Sequence, residues 1–331
     1  MDSVRLGNTG LRVSRLCLGT MTFGLQCDEA TSFSIMDKAS EGGIDFFDTA
    51  DAYPLGGDGD IRGRTEEIIG RWLKGKRLDY VIATKCFVPM GPRPFQGGNS
   101  RRHILDAVDA SLRRLNTDFI DLYQLHGVDP NTPIDETLEA LNALVVSGKV
   151  RYVGCSNHLA YQVARALGRS EARGLVKFVS VQPRYNLLFR EIERELIPLC
   201  MEDGLAVIPY NPMAGGMLSG KHDRTKAPTE GTRFTAPSYA GVIYRQRYWQ
   251  DQVFDAVDAI KAAADEAGLS MPTLAVAWVL AQPGITGPLI GASRPEQLDA
   301  TLKAVETTLP PELLTKLDEL TREFRRGDTP R

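Results

Sequence analysis

One pattern constrains this chain more than any other. Short apolar, β-branched runs alternate with stretches of helical periodicity from end to end. Eight runs read as strands: LCLG (16–19), DFFDT (45–49), YVIATK (80–85), FIDLYQL (119–125), VRYVGCS (150–156), FVSVQ (178–182), LAVIPY (205–210) and GPLIG (287–291). Several are continuously apolar, as strands buried on both faces are. Between them, RTEEIIGRWLKG (64–75) opens with acids and closes with bases, which suits the helix dipole. SRRHILDAVDASLRRLN (100–116) carries apolar residues at 104, 105, 108, 112 and 115, and DETLEALNALVVSGK (135–149) has the same period and ends near a glycine. Eight β-then-α units predict an α/β fold of the (β/α)8 TIM-barrel type. No linker or low-complexity boundary divides residues 1–331, so one domain is expected.

Further segments decorate the barrel. VRLGNTGLRV (4–13) reads as a β-hairpin around Asn8-Thr9-Gly10, placed to plug the barrel bottom. KHDRTKAPTEGTRFTAPSYAGVIYRQRYW (221–249) is too long and irregular for a simple connection, which points to a functional or mobile loop. Extra C-terminal helices are expected, and the tail 322–331 is expected to fray.

Composition excludes several function classes. A net charge of −3 and a pI near 5.9 give no sign of nucleic acid or an anionic membrane as partner. The longest tight apolar run, LAVAWVLA (274–281), is far short of the ~20 residues that span a bilayer. MDSVRLGN lacks the basic-then-apolar pattern of a signal peptide, so the cytoplasm is the expected compartment. Cys17, Cys27, Cys86, Cys155 and Cys200 are odd in number and widely spaced, which suits reduced thiols. His103, His126, His158 and His222 show no ligand spacing with them, so no metal site is expected. His103 and His222 read as surface residues, and His158 as a loop residue.

Four chemically capable residues close strand-like runs: Asp48 and Tyr53 in FFDTADAY (46–53), Lys85 in VIATK (81–85) and His126 in DLYQLH (121–126). The C-terminal ends of barrel strands are where such folds build active sites. A phenol with a pKa of about 10 is a poor acid at neutral pH. A lysine ammonium beside it stabilises the phenolate and lowers that pKa. A carboxylate holds the lysine charged and in place, and an imidazole can orient a carbonyl oxygen. Singly, the pair Asp48 and Lys85 reads equally well as an ion pair tying two strands.

The ordered set of motifs resembles the aldo-keto reductase family, from near residue 5 to about residue 306. It comprises LGNTGLRVSRLCLGTMTFG (6–24), DTADAY (48–53), ATK (83–85), LYQLH (122–126), GKVRYVGCSNH (148–158), VQPRYN (181–186), PYNPMAGGMLSGK (209–221) and GASRPEQL (291–298). The resemblance implies an NADPH/NADP+-dependent enzyme that reduces an aldehyde, ketone or keto-sugar. Tyr53 would be the acid, Lys85 its activator, Asp48 the partner of Lys85, and His126 the group that positions the substrate.

It also implies cofactor contacts. Ser156, Asn157 and Gln182 would grip the nicotinamide carboxamide, Tyr210 would stack on the ring, and Gly19, Thr20 and Met21 would line the hydride-transfer end. Asn211, Pro212, Met213, Ala214 and Gly215, with Lys221 and Arg233, would belt the pyrophosphate and adenosine. Gly291, Ser293, Arg294 and Gln297 would take the 2′-phosphate by charge-assisted hydrogen bonds. Ala300 and Thr301 depart from the Glu-Asn that the family often carries for adenine. Phe23, Phe87 and Trp249, and also Tyr239 and Tyr244, could wall the pocket for a small-molecule carbonyl substrate. Two other classes stay open: an NADPH-binding regulatory subunit of a membrane channel, and a barrel isomerase or hydrolase without a dinucleotide. Substrate identity, reaction direction and oligomeric state are not encoded legibly.

Overall fold

Eight strands run parallel in one sheet: β3 (Cys17–Gly19), β4 (Phe46–Asp48), β5 (Val81–Cys86), β6 (Ile120–Leu125), β7 (Val150–Ser156), β8 (Ser180–Gln182), β9 (Ala206–Val207) and β10 (Leu289–Ile290). The computed structural model describes residues 1–57, 61–237 and 239–326. Neighbours follow chain order, with β10 beside β3. The register brings Gly19 opposite Asp48, Asp48 opposite Ala83, and Ser156 opposite Gln182. A parallel bridge joins Val207 to Ile285, and Leu289 N donates to Pro209 O at 2.8 Å. The last strand is thereby tied to the approach of β10, and the sheet curls into the expected barrel.

Each strand feeds a helix: α1 (Glu29–Glu41), α2 (Arg64–Trp72), α3 (Arg101–Leu115), α4 (Ile134–Val146), α5 (Ala160–Arg173) and α6 (Leu196–Asp203). After β9 come α7 (Tyr239–Tyr248), α8 (Asp251–Glu266) and α9 (Met271–Ala281). After β10 come α10 (Gln297–Lys303) and α11 (Pro311–Leu320). Local signals set the boundaries. Asp28 caps α1 by accepting from Thr31 N at 2.8 Å, and Ser100 caps α3 by accepting from His103 N. Asn116, at φ 51°, ends α3 in the left-handed conformation that asparagine tolerates.

Strand alternation splits the core in two. Phe46, Ala83, Leu122, Ala206, Ile208 and Leu289 point into the barrel, while Phe47, Ile82, Tyr123 and Val153 pack outward under the helices. The hairpin of β1 (Ser3–Arg5) and β2 (Arg12–Ser14) closes the bottom by burying Leu6 and Val13 in the inner layer. Asn8 N donates to Gly204 O at 2.8 Å, which pins the turn.

Three expectations change. His103 is buried on the inner face of α3 in the row 103–107–111, where Ala107 and Ser111 leave room for an imidazole. His222 is half-buried between Phe234 and Trp249, with ring centres 4.9 and 5.4 Å away. Residues 322–326 are docked rather than frayed: Phe324 is buried, and Arg325 pairs with Glu193 and Asp318 at 2.8 and 2.5 Å. Residues 327–331 of that tail lie outside the described residues. All five cysteines are free and buried. No helix among the described residues is long and apolar enough to cross a membrane.

Candidate active site

The strand ends converge on a cavity of about 540 Å³ at the C-terminal face of the barrel. Gly19 closes β3, Asp48 closes β4, Lys85 sits one residue from the end of β5, and His126 follows β6. Ser156 and Gln182 close β7 and β8.

At the cavity floor, the Lys85 ammonium donates to Asp48 Oδ1 and to Thr49 O, the latter at 2.7 Å. Both side chains are shut off from solvent. Asp48 Oδ2 accepts from Gln124 Nε2 at 3.0 Å and Gln182 Nε2 at 2.8 Å. Burial works to lower the Lys85 pKa, but Asp48 and then Tyr53 outweigh it and hold it above the usual range. Lys85 thus keeps its positive charge where water does not reach.

Lys85 Nζ lies 5.1 Å from the centre of the Tyr53 ring. The balance on the phenol differs from the sequence expectation. Burial raises its pKa, Lys85 pulls it down, and Asp48 and Tyr244 push it up, so the net direction is upward. The lysine moderates the cost of forming phenolate without winning outright. Tyr53 therefore holds its proton at neutral pH.

The His126 ring meets Tyr53 edge-on, with centres 5.7 Å apart. Burial, helped by the Lys85 charge, drives its pKa down to about 3, so the imidazole is neutral. Its Nδ1 is buried and has no partner among the described residues. A proton-holding phenol, a buried cation and a neutral imidazole on one wall can together donate a proton to an oxygen and orient it.

The cavity runs on from there. Ser156 Oγ donates to Gln182 O at 2.7 Å, and Tyr210 OH to Asn157 Oδ1 at 2.9 Å. Asn157 and Asn211 sit at positive φ, 59° and 67°. Gly215, at φ 70°, has no room for a side chain: a Cβ would lie 2.5 Å from the Tyr244 ring. Its N–H bonds Asn211 Oδ1 at 2.5 Å. Pro212, Met213, Gly215, Lys221 and Arg233 line the wall, with Ala214 fully buried behind them. At the far end Gly291, Ser293, Gln297, Ala300 and Thr301 line it too, and Ser293 N donates to Gln297 Oε1 at 2.8 Å.

Some sequence candidates lie elsewhere. Arg294 is exposed and outside the cavity wall. Phe23 is sealed in the core, Phe87 rests against Gly127, and Trp249 meets His222, Phe234 and Phe254 edge-on. None of these three lines the cavity.

The irregular stretch 221–249 contributes a wall instead. It folds into a 3-10 turn at Arg233–Thr235 and then α7, whose Tyr239, Ala240, Ile243, Tyr244 and Arg247 face the cavity. Gln124 and Arg247 were missed from sequence. Gln124 carried a signal, as an amide in an otherwise apolar buried strand.

The sequence profile of the Aldo/keto reductase family matches residues 15–322. "Uncharacterized oxidoreductase YrpG" of Bacillus subtilis is 42% identical, over 97% of this chain and 96% of that protein. "Versiconal hemiacetal acetate reductase" of Aspergillus parasiticus is 35% identical over 96% of each chain. "Probable voltage-gated potassium channel subunit beta" of Arabidopsis thaliana is 36% identical over 97% of this chain and 96% of its own.

Proposed function

The chain belongs to the aldo/keto reductase family and is an oxidoreductase, and on that premise we propose that it reduces an aldehyde, ketone or keto-sugar with NADPH in one barrel domain. One observation carries the proposal: the sealed Lys85–Asp48 pair lies beside Tyr53 and His126 at the floor of a cavity large enough for a dinucleotide's reactive end.

The donor set fits a phosphorylated dinucleotide. Among the described residues, Arg62, Lys221 and Arg233 line the cavity beside two acids, Asp48 and Glu296, and Lys85 already neutralises Asp48. Ser156, Asn157 and Gln182 would hold the carboxamide, with Gln182 steadied by its bond to Asp48. Tyr210 would present its ring face, and Arg233, Ser293 and Gln297 would take the 2′-phosphate. When bound, NADPH supplies a hydride to the carbonyl carbon.

Tyr53 gives its proton to the carbonyl oxygen, and Lys85 stabilises the phenolate left behind. Asp48 keeps Lys85 charged and aimed, through a network closed by the two glutamines. Neutral His126 donates a hydrogen bond that fixes the oxygen. The test is a panel of aldehydes, ketones and keto-sugars followed by loss of NADPH absorbance, with Tyr53→Phe alongside. Turnover that disappears in the variant supports the reading. Tight NADPH binding with negligible turnover across the panel favours a slow regulatory subunit, and no binding refutes both.

A further inference from the structure

Two arginines near the catalytic end are used neither by the reaction above nor by the cofactor contacts. Arg247 lies on the cavity-facing side of α7, one turn beyond Ile243. Its helix is fixed at that end: Tyr248 is buried, and its hydroxyl accepts from Asn186 at 3.0 Å and from Asn211 at 2.9 Å. Arg247 lies close enough to Tyr210 that its charge opposes the burial that raises that phenol's pKa. From Tyr210 the contacts lead back to the reacting centre. Its hydroxyl donates to Asn157, and Asn157 Nδ2 donates to His126 O at 2.9 Å.

Arg184 belongs to the segment that follows β8. Its backbone bridges Tyr210, and its guanidinium stacks 3.4 Å from the centre of the Phe189 ring. It is half-buried, and burial and the Arg247 charge both weigh against its ionised form. The acid that acts on it, Glu191, pairs with Arg326 at 3.4 Å.

Several enclosed arginines in this protein have acids: Arg190 has Glu193 and Asp318, Arg114 has Glu66, and Arg77 has Asp121, while Arg15 is held by backbone carbonyls instead. Among the described residues, no carboxylate lies within ion-pair distance of Arg184 or Arg247. Two like charges partly removed from water are costly unless an anion joins them. A guanidinium held by packing is suited to meet a carboxylate or phosphate with two parallel hydrogen bonds.

We propose that Arg247, supported by Arg184, forms an anion-recognition subsite beside the reacting centre, and that the preferred substrates are carbonyl compounds bearing a carboxylate or phosphate. This rests on the reductase reading given above. The anionic tail is held against α7 while the carbonyl lies between Tyr53 and His126. Specificity then comes from the inserted segment between β9 and α8, and the chemistry from the strand ends.

Matched substrates test it: 4-carboxybenzaldehyde, its methyl ester, and 4-formylphenyl phosphate, with wild type, Arg247→Gln, Arg247→Lys and Arg184→Gln. Wild type is expected to favour the anions over the ester in kcat/KM by at least about tenfold, a difference of about 1.4 kcal/mol. Arg247→Gln should erase that preference through KM, Arg247→Lys should keep part of it, and the ester should suffer far less than the acids. Whichever anion loses more identifies the tail. Equal kcat/KM for acid and ester in wild type overturns the proposal. So does a preference that survives Arg247→Gln, or a loss in that variant explained by weaker NADPH binding. If no carbonyl in the set is reduced, the reductase reading fails, and calorimetry of benzoate against benzamide on the NADP+-loaded protein still decides the subsite. Benzoate must bind more tightly, and lose that advantage in Arg247→Gln, for the subsite to stand.

Discussion

Replacing Lys85 with Met separates what the buried pair does for stability from what it does for chemistry. The two side chains are 0% and 2% exposed. Met fills much of the same space without the charge, so Asp48 Oδ1 is left without its cation while Oδ2 keeps Gln124 and Gln182. Breaking a buried pair from one side costs about 3–5 kcal/mol, and the two surviving amide donors put this case near 3. With an unfolding entropy of about 2.1 cal/mol/K per residue and 331 residues, Tm should fall by about 4 °C. The chemical effect has its own sign. Lys85 draws the Tyr53 pKa down and Asp48 pushes it up. Reduction needs the protonated phenol, so its rate falls as pH rises through that pKa. Lys85→Met should move the basic limb to higher pH and lower the plateau, because a weaker acid gives up its proton less readily. Asp48→Asn should move the limb to lower pH. Calorimetry and kcat/KM from neutral to alkaline pH read both effects. Limbs that move together, or a Tm that does not fall in Lys85→Met, would refute the electrostatic reasoning.

Tyr53→Phe should lose at least ~10²-fold in turnover while fluorescence titration still shows NADPH binding. NADPH should bind at least about tenfold more tightly than NADH, and Arg233→Ala should erase this preference more than Arg294→Ala, because only Arg233 reaches the cavity wall; dissociation constants at fixed salt decide it. His126 stays neutral until about pH 3, whereas an unfolded histidine takes up its proton near pH 6.5. Stability should therefore decline as pH falls below about 6.5, and urea melts of His126→Gln should show a shallower decline. Gly215→Ala would drive a methyl into the Tyr244 ring and disturb its bond to Arg233, so NADPH affinity should drop while the circular dichroism spectrum is retained.

Periodicity carried most of the fold, because parallel strands buried on both faces must be apolar at nearly every position. The catalytic face followed from topology: residues closing successive strands have to meet at one end of a barrel. Asp48, Lys85 and His126 were therefore visible together without any contact being known. Surface and interior were harder to separate on helices. His103 reads as polar, yet its row continues through Ala107 and Ser111, two residues small enough to admit it. Of the aromatic candidates, Tyr239 and Tyr244 line the cavity while Phe23, Phe87 and Trp249 do not, for a related reason. Phe23 and Trp249 are large and apolar, but burial in the core and burial in a binding site look alike in a sequence.

The Tyr53 balance shows where reading charges from a sequence runs out. A lysine near a tyrosine fixes the sign of one contribution, and that sign was right. The net direction depends on how much water the fold removes, and here burial comes first among the causes. The same physics governs α7. Its residues carry little periodic contrast, with Tyr, Val, Ile and Arg mixed along ten positions, so neither burial nor helix stood out. What fixes the helix is tertiary: Asn186 and Asn211 converge on Tyr248, and Arg233 bonds Tyr244. Those partners come from the segments after β8 and β9 and from the loop itself. A segment held by scattered polar anchors can change its cavity-facing residues without disturbing the barrel. That is why substrate choice is expected to reside in α7, while Asp48 and Lys85 sit on strands, and His126 directly after one, whose register a substitution cannot easily shift.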